Sequence, residues 1–146
     1  MVIAIIAILA TLALPSQFGQ ITQKRLIENI DLVERYKAPI EQYYYTHGGN
    51  FPEDNAAAGL PDPNQIIGNY LEKMEVRDGV MHLYLGQKLP EKLRNNILSI
   101  RPVYVEDSIN SPVSWICGYN SIPNGMVAAG TNLTDIEKLF LPGRCR

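Results

Sequence analysis

Residues 1–14 read MVIAIIAILATLAL, and residues 15–45 continue as PSQFGQITQKRLIENIDLVERYKAPIEQYYY. The change of pattern between these two stretches decides the fold. In the first, Thr11 is the sole polar side chain and there is no charge. In the second, Leu26, Ile30, Val33, Tyr36, Ile40, Tyr43 and Tyr44 recur at spacings of three and four, which lines one face of an α-helix. Glu28, Asp31, Arg35 and Gln42 fall on the opposite face. Lys24/Glu28, Asp31/Arg35 and Lys37/Glu41 have the i,i+4 spacing of weak surface ion pairs. Proline has no N–H and crowds the preceding turn, so kinks are expected at Pro15 and Pro39.

One nearly continuous helix from Met1 to Tyr45 would run about 65 to 70 Å. No globule of 146 residues buries that length. Half of it must lie in a bilayer or among neighbouring copies. Residues 1–14 alone are short of the about 18 to 20 apolar residues of a membrane span. They fit the apolar core of a secretory signal, with Thr11-Leu12-Ala13 as a small-residue cleavage site, but no positive segment precedes them. They fit a buried core helix, but one small domain has nothing to surround so apolar an end. They also fit a longer membrane helix that lacks its first residues, which the amphipathic continuation favours. The side chains committed to that apolar environment are Met1, Val2, Ile3, Ile5, Ile6, Ile8, Leu9, Leu12 and Leu14. The division expected is a hydrophobic helix over 1–23 and a globular head over 24–146 that includes the C-terminal half of the helix.

Gly48-Gly49-Asn50 stops the helix, and a polar, proline-rich loop follows over 51–65. Leu71 to Arg77 and Val80 to Leu85 read as strands around Asp78-Gly79, a strong hairpin signal. Met81, Leu83 and Leu85 then face one way, and Val80, His82 and Tyr84 the other. Leu98 to Glu106 is a third strand, and Pro102 places it at an edge or at a bulge. Val113 to Tyr119 is a fourth, with Trp115, Cys117 and Tyr119 on one face. Thr134 and Glu137 have capping-box spacing for a short helix ending before Pro142.

The charge balance is 13 Lys plus Arg against 15 Asp plus Glu, a net of -2, which disfavours an obligate nucleic-acid binder. Two cysteines and two histidines cannot supply the four close ligands of a structural zinc site. Neither His47 nor His82 has a partner in sequence to orient it as a catalytic base for a cysteine nucleophile. Catalytic residues, metal ligands and cofactors are therefore expected to be none. Tyr36, Tyr43 and Tyr44 are expected to pack helix against sheet rather than carry electrons. Lys138, Arg144 and Arg146 are too sparse for phosphate binding and read as scattered surface charge. Asn132-Leu133-Thr134 matches a glycosylation sequon and reads better as a turn.

From end to end the chain resembles the type IV pilins, in particular the Gram-negative type IVa branch. The resemblance is carried by AIIAILA over 4–10, Pro15 and the long amphipathic helix. It continues through YYYTHGGNFP over 43–52, NAAAGL over 55–60, the Asp78-Gly79 hairpin, Trp115-x-Cys117 and the closing Leu141-Pro142-x-x-Cys145. Family members also carry a prepilin cleavage site, a methylated phenylalanine and a glutamate soon after it. This sequence opens inside the apolar stretch without them, and a late start or a truncation is expected.

The resemblance implies an α+β fold: a long N-terminal helical spine, a four-stranded antiparallel sheet on its C-terminal half, and a disulfide-bounded C-terminal loop. A cysteine pair in an exported domain is normally oxidised, so Cys117 and Cys145 are expected to be bridged. The function implied is that of a structural subunit of a pilus serving adhesion, twitching motility or DNA uptake. Its partners are further copies in a helical filament, the inner membrane before assembly, and a host surface or DNA at the filament level. Its place is the extracellular pilus, reached from a periplasm-facing membrane anchor. A minor pilin, a type II secretion pseudopilin and a membrane-anchored binding module are the alternatives.

Overall fold

A computed structural model describes residues 19–146. Met1 to Leu14 and Pro15, the expected filament-core side chains and first kink, lie outside the described residues. Helix α1 occupies residues 19–33, and a 3-10 turn over Glu34–Tyr36 joins it to α2, Lys37–Thr46. The apolar stripe is buried as its spacing requires: Leu26, Val33 and Ile40 are wholly enclosed, with Ile30 and Tyr44 nearly so. Full burial of each such side chain is worth about 1.5 to 3 kcal/mol. The helical distortion falls just upstream of Pro39, at the 3-10 turn. Pro39 has no N–H to offer the Arg35 carbonyl four residues back, and the Lys37 N–H turns instead to the Glu34 carbonyl.

Gly48 and Gly49, at φ 65° and 84°, turn the chain out of α2. Five strands follow: β1 Leu71–Arg77, β2 Val80–Leu85, β3 Ile97–Tyr104, β4 Ser114–Cys117 and β5 Val127–Ala128. They form one antiparallel sheet in the order β1-β2-β3-β4, with β5 also on β3. The β1–β2 turn has Asp78 at φ 49° and Gly79 at φ 81°, the left-handed pair that matches strand twist. The short β5 adds a strand to the expected four.

Pro102 does not put its strand at an edge. β3 is interior, pairing with β2 through Ile97 to Ile100 and with β4 through Ile100 to Val103. The Pro102 carbonyl accepts from Ala129 N–H at 2.9 Å, so its nitrogen faces that same flank. There β2 has already ended at Val80, and no ladder bond is lost.

Met74, Val76, Met81, Leu83, Leu85, Leu98 and Ile100 meet the helices in one core. The other face of the sheet is also covered. Residues 129–136 cross it, where the Leu133 N–H reaches Ser99 Oγ at 2.9 Å. The expected short helix after Thr134 is absent, and 3-10 turns over Lys138–Phe140 and Gly143–Cys145 stand in its place. The expected N-cap side chain and that of the next residue are taken by β3. Thr134 Oγ1 accepts from Ser99 N–H at 3.0 Å, and Asp135 Oδ1 from Ile97 N–H at 2.7 Å. Ile136 is pulled fully into the core.

Candidate functional site

The described part of α1 lies against the head with one face and leaves Lys24, Glu28, Asp31 and Arg35 on the other, all exposed. Two walls hold it. On the first, Asn29, nearly fully buried, donates through Nδ2 to the Tyr70 carbonyl at 2.8 Å. Asn69 Nδ2 donates to Glu28 Oε1 at 2.9 Å, and the Arg25 guanidinium lies 5.2 Å from the centre of the Tyr70 ring. Leu32 packs so closely over Gly68 that a Cβ there would stand 2.8 Å from Leu32 Cδ2. A larger residue there would displace the Leu32 side chain. On the second wall, Gln23 Nε2 donates to the Leu139 carbonyl at 3.4 Å, and Arg144 meets Asp31 at 3.4 Å.

The i,i+4 ion pairs expected along the helix are not what forms. Among the described residues the ion pairs are Lys37–Glu34, Arg77–Glu75 and Arg144–Asp31. The acids of the helix are used by the head instead. Glu41 accepts from Trp115 Nε1 at 2.6 Å, Glu28 holds Asn69, and Asp31 meets Arg144. Pairs between exposed side chains are worth little, so better-placed partners win.

Cys117 at the end of β4 and Cys145 near the C-terminus form a disulfide across 28 positions. Gly118, at φ 57°, follows Cys117, and a Cβ on it would overlap the Cys145 carbonyl oxygen. The short β4 therefore stops at Cys117, and Tyr119 swings to donate its hydroxyl to the Thr134 carbonyl at 3.1 Å. Trp115 is held by Glu41 and by Lys37, whose Nζ lies 5.6 Å from the ring centre.

The titratable groups weighed for chemistry have structural partners. His82 is buried on the outer sheet face with Nδ1 at 2.8 Å from Ser99 Oγ. Burial first, and the Arg77 charge second, push its pKa down to about 4 against a smaller upward pull from Glu75. It is neutral and enclosed. His47 stacks on Tyr43 at the helix exit, ring centres 3.7 Å apart, so Tyr43 packs on the surface and not into the core as expected. Tyr44 alone of the three consecutive tyrosines is buried. Arg146 Nε donates to the Leu141 carbonyl and Lys138 lies over the Tyr119 ring, so the basic residues near the C-terminus are dispersed. Asn132 accepts from Thr134 N–H and donates to the Gly118 carbonyl, which makes it a turn residue.

Sequence reasoning missed Asn55, a buried side chain that mimics a strand at the sheet edge. Its Oδ1 accepts from Val76 N–H at 2.6 Å, and its Nδ2 donates to the Met74 and Pro61 carbonyls. It missed Ser99 in the same way. Asn29 left a signal, an amide inside the apolar stripe beside Leu26, Ile30 and Val33. Asn55 left none beyond the quoted NAAAGL.

Among the described residues no helix is long and apolar enough to cross a membrane. The sequence profile of the pilin family, described as a bacterial filament protein, matches residues 25–146. A type IV major pilin protein of Neisseria gonorrhoeae is 32% identical over 148 residues, covering 99% of this chain and 87% of that protein. A fimbrial protein of Neisseria meningitidis serogroup B is 30% identical over 153 residues, covering 99% of this chain and 88% of its own length. A fimbrial protein of Eikenella corrodens is 40% identical over 75 residues, covering 51% of this chain and 47% of that protein.

Proposed function

We propose that this chain, which belongs to the pilin family of bacterial filament proteins, is a major structural subunit of a type IV pilus. That it is a pilus subunit built into a filament of pilins follows from its family. The finer reading concerns how it assembles and what the filament does. The observation that supports it most is the match to major pilins over 99% of the chain, which includes the apolar residues 1–14 as well as the head.

Residues 1–23 are the segment that waits in the inner membrane and then enters the filament core, and 24–146 are the head. Thr22, nearly fully buried, and Gln23 already belong to the head's packing. Met1, Val2, Ile3, Ile5, Ile6, Ile8, Leu9, Leu12 and Leu14 supply the apolar surface for both environments, and Pro15 the first bend. Nine such side chains cannot remain in water, since burial of each is worth about 1.5 to 3 kcal/mol. The resulting filament is extracellular, and adhesion, twitching motility and DNA uptake are the roles it serves.

Expression of the full chain in a pilus-assembling bacterium that lacks its own major pilin tests this. Sheared surface filaments composed in bulk of this chain are the expected result. Filaments carrying it only in trace amounts would make it a minor pilin, and its retention in the membrane beside an unaltered filament would remove it from assembly.

A further inference from the structure

Leu139 and Ile67 are the two most exposed large apolar side chains among the described residues, at 68% and 62%. They stand on opposite walls of α1. Leu139 belongs to the wall bonded by Gln23, and Ile67 precedes Gly68, which Leu32 covers. Gln23 and Leu32 are about two and a half helical turns apart and so point away from each other.

Single exposed apolar residues need no explanation. The setting of these two does. Ile67 and Leu32 line an open groove of about 590 Å³ between α1 and the loop before β1. Glu28 stands on its rim, fixed by Asn69 at 2.9 Å. Among the described residues no lysine or arginine is paired with that carboxylate. A fixed carboxylate beside an apolar groove is complementary to an apolar knob with a cation next to it. This chain displays one such pair on its other wall: Lys138 and Leu139, adjacent and both exposed.

We infer that Leu139 of one copy seats in the Leu32–Ile67 groove of the next copy, with Lys138 against Glu28. This rests on the filament reading above and names where two heads meet. Knob and groove are different surfaces of one chain, so the contact is heterologous and repeats without closing on itself. The knob lies at the level of Gln23 and the groove spans Glu28 to Leu32, which sets neighbouring heads roughly 8 to 13 Å apart along parallel helices. The charge pair fixes which neighbour docks and in what register. Glu137, on the other side of Lys138, is exposed as well and takes no part in this contact.

The test uses the full chain assembled into filaments by a bacterium lacking its own pilin. Ile67→Cys and Leu139→Cys combined in one chain should give a ladder of cross-linked subunits when sheared filaments are oxidised, and neither substitution alone should. Glu28→Lys and Lys138→Glu should each lose filaments, and the two together should restore them, whereas Glu137→Lys should leave assembly intact. Abundant filaments without a ladder, or single charge reversals without effect, overturn this contact and leave the filament reading standing. Wild-type chain that forms no filament overturns both.

Discussion

Ser99 Oγ shares a hydrogen bond with His82 Nδ1 at 2.8 Å while accepting the Leu133 N–H at 2.9 Å. A serine hydroxyl carries one proton and two lone pairs, so it can serve either tautomer of the neutral ring while keeping the Leu133 bond. One hydroxyl thus ties two strands to the segment that crosses them.

The pH dependence of stability follows from the burial of the His82 ring, with the Arg77 charge adding to it. The folded-state pKa of His82 is about 4, below the 6.5 of an unperturbed histidine, so the unfolded chain binds the proton more readily. Stability is complete above pH 6.5 and falls as pH drops toward 4, by up to about 3 kcal/mol from this one group. Urea titrations of the oxidised chain at a series of pH values check this. His82→Gln should remove most of the slope between pH 6.5 and 4; an unchanged slope would assign it to other groups.

Glu41→Ala should loosen β4 from α2. Trp115 is the only tryptophan, and its Nε1–H would lose a charged acceptor at 2.6 Å. The expected cost is about 1 to 2 kcal/mol, toward the lower end of charged hydrogen bonds because the site is only part-buried. Tryptophan emission should shift to the red. Emission identical to that of the wild type would mean that packing alone holds the indole.

Asn55→Ala should be more damaging than its position in a loop suggests. It leaves the buried Val76 N–H and Met74 carbonyl without the side chain that satisfies them. A cost of about 2 to 4 kcal/mol is expected for two buried polar groups. Asn55→Asp should rescue only part of this, because it keeps the acceptor and loses the donor. Chemical denaturation of the three proteins at neutral pH separates these outcomes.

Cys145→Ser should loosen residues 118–146 before the rest. In the chain-entropy model, closing a loop of this length contributes about 3.5 kcal/mol. The segment has other anchors, Asn132, Thr134, Asp135 and the buried Ile136. Its hydrogen exchange should therefore quicken without full loss of protection, while the β1–β2 hairpin and α2 keep theirs. Equal exchange with and without the bridge would show that these anchors suffice.

The elements with a strong local period were legible in the sequence. β1 and β2 run over the expected Leu71–Arg77 and Val80–Leu85, because alternation and the Asp78-Gly79 turn both act within a few residues. The apolar stripe of the helix likewise announced its buried face. Features that depend on distant chain segments were not legible. Pro102 argues for an edge only if its neighbour runs past it, and β2 stops short. Thr134 and Glu137 have a cap's spacing, but Ser99 and Ile97 supply competing donors from 35 and 38 residues away. Of the assembly surface, the charges on α1 could be seen in advance. Their partners could not, since Asn69, Trp115 and Arg144 arrive from three different parts of the chain.

The cover over the outer face of the sheet has a consequence in time. A ribosome makes residues 129–145 after all five strands of the sheet. Until then Val80, His82, Ser99 and Ile116 form an uncovered face on an otherwise complete sheet, with Cys117 unpaired at its edge. Such a face invites capture by other unfinished chains. Cys145 follows the covering residues 129–136 in the chain, so the Cys117–Cys145 bond, formed when an external oxidant takes two electrons from the two thiols, can close only once the cover has been made. A subunit admitted to assembly after that oxidation presents no open sheet face to its neighbours.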